Sequence, residues 1–82
     1  MQRQSDAIRD LAKAVELDPS LTLAHYYRGR AYRGLGQYAE AVADLDQALE
    51  ADPENTAAYY YRGRAYRGLG QYTEAVADLD QA

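Results

Sequence analysis

Between residues 5 and 17 the apolar side chains fall at Ala7, Ile8, Leu11, Ala14 and Val15, a spacing that gathers them on one helical face. This pattern predicts an amphipathic helix that stops at Asp18-Pro19, because proline drives the residue before it out of helical geometry. Ser20 or Thr22 is the expected cap of a second helix over about Leu21 to Leu35, with His25, Tyr32 and Leu35 on one stripe and Gly29 beside it. Gly34 and Gly36 end that helix. A third, from about Tyr38 to Ala51, carries Ala41, Val42, Leu45, Ala48 and Leu49 on its apolar face and closes at Asp52-Pro53. Asn55 caps a fourth helix and Tyr72 opens a fifth, which reaches Ala82.

The fourth and fifth helices copy the second and third. The stretch from Tyr27 to Tyr38 recurs letter for letter from Tyr61 to Tyr72, and of residues 19–48 laid on 53–82 only Ser20, Leu21, Leu23, His25 and Ala39 differ. In the same register residues 5–19 fall on 39–53, with Ala7, Asp10, Leu11 and Ala14 matching Ala41, Asp44, Leu45 and Ala48. The 82 residues therefore divide into the second helix of a partial repeat (5–19), a full repeat (20–53) and a shortened one (54–82). Repeats of this length stack into arrays in which no single unit buries its own core. Gly29 and its copy Gly63 cost about 1 kcal/mol each in mid-helix, which predicts that a neighbouring helix comes close to the backbone there.

Tetratricopeptide repeats, helix-turn-helix units of this period, carry small and aromatic residues at fixed positions. This chain resembles them at Gly29, Tyr32, Gly36, Tyr38, Ala41, Leu45, Ala48 and Pro53, and again at Tyr59, Gly63, Tyr66, Gly70, Tyr72, Ala75, Leu79 and Ala82. The resemblance implies an all-α fold, a right-handed α-solenoid of antiparallel helix pairs. It also implies a concave groove, lined by the first helix of each pair, that binds peptides without catalysis. The chain departs from the family at His25, where an aromatic is common, and at Arg28 and Arg62, where leucine is. One family subtype reads a peptide's terminal carboxylate with Lys and Asn; the comparable positions here are Tyr and Arg, which does not support that clamp.

Composition narrows the partners. A net charge of −4 argues against general nucleic-acid binding, and no apolar run approaches the roughly 18 residues that a membrane span needs. The N-terminus lacks the apolar core of a secretory signal, so the cytoplasm is the default expectation. With no cysteine and one histidine there is no metal set, and no cofactor is expected. His25 is expected to pack rather than to react. Gly34 and Gly36 lack the third glycine and preceding strand of a dinucleotide loop, and Asp44 and Asp46, two apart, lie on different helix faces.

Charge nevertheless alternates by segment. Leu21 to Leu35 and Asn55 to Leu69 each hold three arginines and no acid, whereas Tyr38 to Asp52 holds five acids and no base. Helical geometry sorts these arginines, because residues two apart project roughly 200° from one another. Arg28 shares the core stripe with Tyr32 and Leu35, and a guanidinium there needs a carboxylate. Asp44 is the expected partner, with Asp78 repeating it for Arg62. Asp10, the same position in the first helix, has no preceding helix to supply an arginine.

Arg30 and Arg33 share a different stripe with Tyr26, as Arg64 and Arg67 do with Tyr60. Either they form a solvated face with ion pairs to Glu40, Asp46 or Glu50, or they bind a ligand. Neighbouring helices pack about 8 to 10 Å apart and an extended peptide advances roughly 3.3 Å per residue, so equivalent sites would meet every third ligand residue. The expected function is thus a scaffold binding an extended acidic peptide through Tyr26, Arg30, Arg33, Tyr60, Arg64 and Arg67. The alternative is a self-assembling unit, a homodimer or helix exchange through its terminal helices, where Ala75, Val76 and Leu79 have nothing stacked on them.

Overall fold

The computed structural model describes residues 2–18 and 20–82, so Pro19 of the first helix stop lies outside the described residues. Five helices follow one another: α1 (Gln2–Leu17), α2 (Thr22–Gly34), α3 (Tyr38–Ala51), α4 (Thr56–Gly68) and α5 (Tyr72–Gln81). Each packs on the next, and α2 also touches α4 across the stack.

The turns explain where each helix stops. After α2, Gly36 adopts φ +80°, its N–H donates to the Arg33 carbonyl, and the Gln37 N–H donates to the Tyr32 carbonyl. This is the left-handed glycine closure that satisfies the orphan carbonyls of a helix C-terminus. Gly70, Gln71, Arg67 and Tyr66 repeat it after α4.

The start of α2 differs from expectation, and that of α4 does not. Leu21 occupies the N-cap position of α2 and offers no side-chain bond, while Ser20 turns away to donate both its N–H and its hydroxyl to Asp18. Those two bonds, the hydroxyl's foremost, hold the Asp18 carboxyl below its usual value. The cap that Ser20 or Thr22 was expected to supply is therefore missing from α2. On α4, Asn55 accepts from the Ala58 N–H at 3.0 Å.

Small residues set the packing. Ala41, Leu45, Ala48, Ala58 and Ala65 are fully buried, and Tyr26, Leu45, Ala48, Leu49 and Ala58 form the core where the two repeats meet. Gly29 explains how α2 comes so close to α3: a Cβ there would lie 2.8 Å from Leu45 Cγ and 3.3 Å from the Ala41 carbonyl oxygen. Gly63 faces Leu79 and the Ala75 carbonyl in the same way. On α5, Tyr72, Val76 and Leu79 are exposed, whereas Ala75, expected to have nothing stacked on it, is buried on the side that faces Gly63.

Candidate functional site

Arg28 and Arg62 point into the stack. Arg28 donates from Nε to Asp44 Oδ2 at 2.6 Å and from Nη2 to Asp44 Oδ1 at 2.7 Å, a two-pronged pair that matches a planar guanidinium to a planar carboxylate. Arg62 repeats this on Asp78 at 2.8 and 2.7 Å and adds a third bond, Nη1 to Asp46 Oδ1 at 2.7 Å. The hydrogen bonds that the arginines donate to these carboxylates raise the pKa of both guanidiniums against the opposing effect of burial. Asp46 thus ties the first repeat to the second, and it serves Arg62 rather than Arg30 or Arg33. His25 is buried beside the first pair, its Nδ1 3.3 Å from Asp44 Oδ1.

The remaining arginines lie on the other side of α2 and α4. The Arg30 guanidinium sits 4.6 Å from the centroid of the Tyr61 ring and 5.7 Å from those of Tyr26 and Tyr27. Arg33 also lies over Tyr61, at 5.6 Å. Arg64 lies over Tyr60 and donates to its hydroxyl at 2.8 Å. These contacts hold cations against aromatic faces without neutralising them. Among the described residues none of Arg30, Arg33, Arg64 and Arg67 forms an ion pair. The Arg33 Nε is buried with no hydrogen-bond partner.

Tyr26 has a different place from the one expected. It is only 8% exposed, with its ring edge-on to Tyr27 at 5.1 Å and to Tyr61 at 6.1 Å. Burial raises the pKa of its phenol, Arg30 opposing. It is a core residue, and the wall it was expected to supply is built by Tyr27 and Tyr61 instead. Its copy Tyr60 is 39% exposed: α4 covers Tyr26, and among the described residues no helix takes the corresponding place beside Tyr60.

Two grooves result. One, of about 550 Å³, runs between α1, α2 and α4 and is lined by Ala7, Asp10, Leu11, Tyr27, Arg30, Ala31, Arg33 and Tyr61. The other, of about 310 Å³, is lined by Arg33, Tyr38, Arg64, Arg67 and Gly68, three guanidinium-bearing side chains and no acid. Its floor depends on Gly68, since a Cβ there would fall 2.5 Å from the Tyr38 ring. The arginine stripes of α2 and α4 thus converge on the second groove through Arg33, Arg64 and Arg67. Arg30 stays in the first, near Asp10. The stripe rule had no means of finding Tyr38, which reaches this groove from the start of α3; its sequence signal is the aromatic two residues after the closing glycine Gly36.

The family model described as Tetratricopeptide repeat matches the chain at residues 2–43 and 26–82. No curated protein matches it. Among solved structures, the first tetratricopeptide domain of Spaghetti (RPAP3) bound to the HSP90 peptide SRMEEVD has a TM-score of 0.91 at 29% identity, covering 98% of this chain and 64% of that one. The second Spaghetti domain, bound to the same peptide, has a TM-score of 0.90 at 29% identity, covering 95% and 72%. The protein MamA has a TM-score of 0.87 at 28% identity, covering 95% of this chain and 43% of MamA, so the chain spans less than half of that relative.

Proposed function

The chain belongs to the tetratricopeptide repeat family, and from that premise we propose that it is a non-catalytic protein-interaction scaffold whose arginine-lined groove takes an extended acidic peptide. The observation that carries this reading is the groove of Arg33, Arg64 and Arg67, with the buried Arg33 Nε unpartnered and no carboxylate in the lining. A carboxylate entering there gains charge-assisted, two-pronged hydrogen bonds, and the Tyr38 ring offers a surface for the apolar stem of a glutamate. The peptide in the two Spaghetti structures is itself acidic at its end, SRMEEVD, and supports the same class of ligand here.

The test is a titration of matched acidic and basic extended peptides. The acidic series binds, and Arg64→Ala with Arg67→Ala weakens it by about tenfold or more, consistent with roughly 1.5 to 3 kcal/mol for hydrogen bonds to charged groups. Equal affinity for both charge classes, or an unchanged affinity in the variant, contradicts the proposal.

A second reading is favoured by α5, where Val76 is 58% and Tyr72 66% exposed. An apolar face of this kind supports self-association. Light scattering across a concentration series then shows a mass above the monomer that Val76→Glu reduces; a monomer at every concentration removes this reading.

A further inference from the structure

Three guanidiniums share the smaller groove, and from their arrangement we infer that it recognises a phosphorylated side chain on the acidic peptide, with the phosphomonoester rather than a carboxylate as its principal ligand. The inference rests on the acidic-peptide reading of this groove and names the group that the reading leaves open. The rest of the chain shows how much guanidinium a carboxylate uses. One arginine, Arg28, takes both oxygens of Asp44, and Arg62 serves two carboxylates at once, Asp78 and Asp46. In the smaller groove the ratio is reversed: Arg33, Arg64 and Arg67 line about 310 Å³ with no acid among them.

A ladder of single carboxylates does not account for this. Such a ladder would meet Arg30 and Arg33 as one pair and Arg64 and Arg67 as the next. The structure divides the first pair: Arg30 lines the larger groove alone, over the Tyr61 ring, whereas Arg33 also lines the smaller one. Arginines of both repeats therefore address one small concavity. A phosphomonoester carries a charge of about −1.5 to −2 near neutral pH and three acceptor oxygens, so it takes forks from more than one guanidinium. Donors remain for it. The Arg33 Nε has no partner, Arg64 gives Nη1 to the neutral Tyr60 hydroxyl, and among the described residues no ion pair holds any of the three. The carbonyls of Ala65, Tyr66 and Arg67, whose partial negative charge opposes an anion beside Gly68, are capped by the N–H groups of Leu69, Gly70 and Gln71. A net charge of −4 repels a long polyanion, which favours a short peptide over a nucleic acid as the carrier of the phosphate.

The test titrates three fluorescent peptides of one extended acidic sequence, differing only in Ser, Glu or phosphoserine at a central position, into the 82-residue chain by anisotropy. At about pH 7.5 the phosphoserine peptide is expected to bind about tenfold more tightly than the Glu peptide. Arg67→Gln, at an exposed position, removes most of that preference, and Arg64→Gln, also exposed, serves as the second variant. Lowering the pH to about 5.5 protonates a phosphate whose second pKa is about 6, and weakens the phosphoserine peptide about fourfold while the Glu peptide keeps its affinity. The groups facing the phosphate are Arg33 from α2, Tyr38 from α3, and Arg64 and Arg67 from α4, with no histidine or carboxylate among them. His25 lines a different groove, with Ser20 and Gln47.

Equal affinity of the Glu and phosphoserine peptides overturns the inference and leaves the acidic-peptide reading standing, whereas no binding by any of the three overturns both. Inorganic phosphate that competes with the affinity of the phosphopeptide itself also overturns it, because the groove would then read the free ion and not a peptide. A preference that survives both arginine variants puts the phosphate elsewhere on the chain and overturns the assignment to this groove.

Discussion

Asp44 accepts both prongs of Arg28 and stands 3.3 Å from His25 Nδ1, so one carboxylate organises two buried or half-buried side chains. Asp44→Asn removes the charge and leaves Arg28 without an anion in a site that water reaches only in part. Breaking such a pair costs about 3 to 5 kcal/mol when fully buried, and the partial exposure of Arg28 brings the expected loss to roughly 2 to 3 kcal/mol, measured by urea denaturation. Replacing both partners, Arg28→Leu with Asp44→Leu, is expected to restore most of that loss, since burial of apolar groups replaces the desolvation of two charges. A double variant as unstable as Asp44→Asn would show that the pair stabilises the fold beyond its own desolvation. That Arg28 faces Asp44 was legible from sequence, since helical rotation alone puts Arg28 on the core stripe. The third bond of Arg62, to Asp46, was not. It crosses from one repeat to the next, and its formation depends on how closely α4 stacks on α3.

Among the elements, α2 lies close against α3, and Gly29 sets that contact. Alanine at this position raises helix propensity by about 1 kcal/mol. Its Cβ, however, meets both a leucine side chain and a backbone carbonyl that has no rotamer to escape through. Gly29→Ala is therefore expected to destabilise by a net 1 to 3 kcal/mol, as overpacking of a well-filled contact does, read from the urea midpoint. A gain in stability would mean that α2 can lift from α3 at little cost. The glycine's role was predictable because a mid-helix glycine is unfavourable without a close neighbour. The caps were less so. Ser20 and Asn55 occupy adjacent positions of the repeat, and only Asn55 sits where its side chain reaches the third N–H of the helix; Ser20 lies one residue earlier and bonds back to Asp18.

At the scale of the whole molecule, sequence-identical positions do different work because their neighbours along the stack differ. Tyr26 and Tyr60 share their flanking residues Tyr27 to Tyr38 and Tyr61 to Tyr72, yet Tyr26 is sealed by α4 and Tyr60 is open. The helical-stripe rule treats them alike, which is why it assigned Tyr26 to a groove it does not line. The repeat, the helix order and the division between core-facing and outward arginines follow from periodicity within one helix. The convergence of Arg33 with Arg64, Arg67 and Tyr38 depends on the angle between neighbouring repeats, which periodicity does not encode. The same arrangement leaves two grooves of different lining: arginines without an acid between the repeats, and Arg30 and Arg33 together with Asp10 against α1.

The most direct test follows the arginine side-chain Nε–Hε signals by NMR while an extended acidic peptide is added. Saturable shifts are expected at Arg33, Arg64 and Arg67, with Arg28 and Arg62, already held by Asp44, Asp46 and Asp78, unmoved. Shifts spread evenly over all arginines, or none at the three that share the groove, would contradict the assignment of this surface to acidic-peptide recognition.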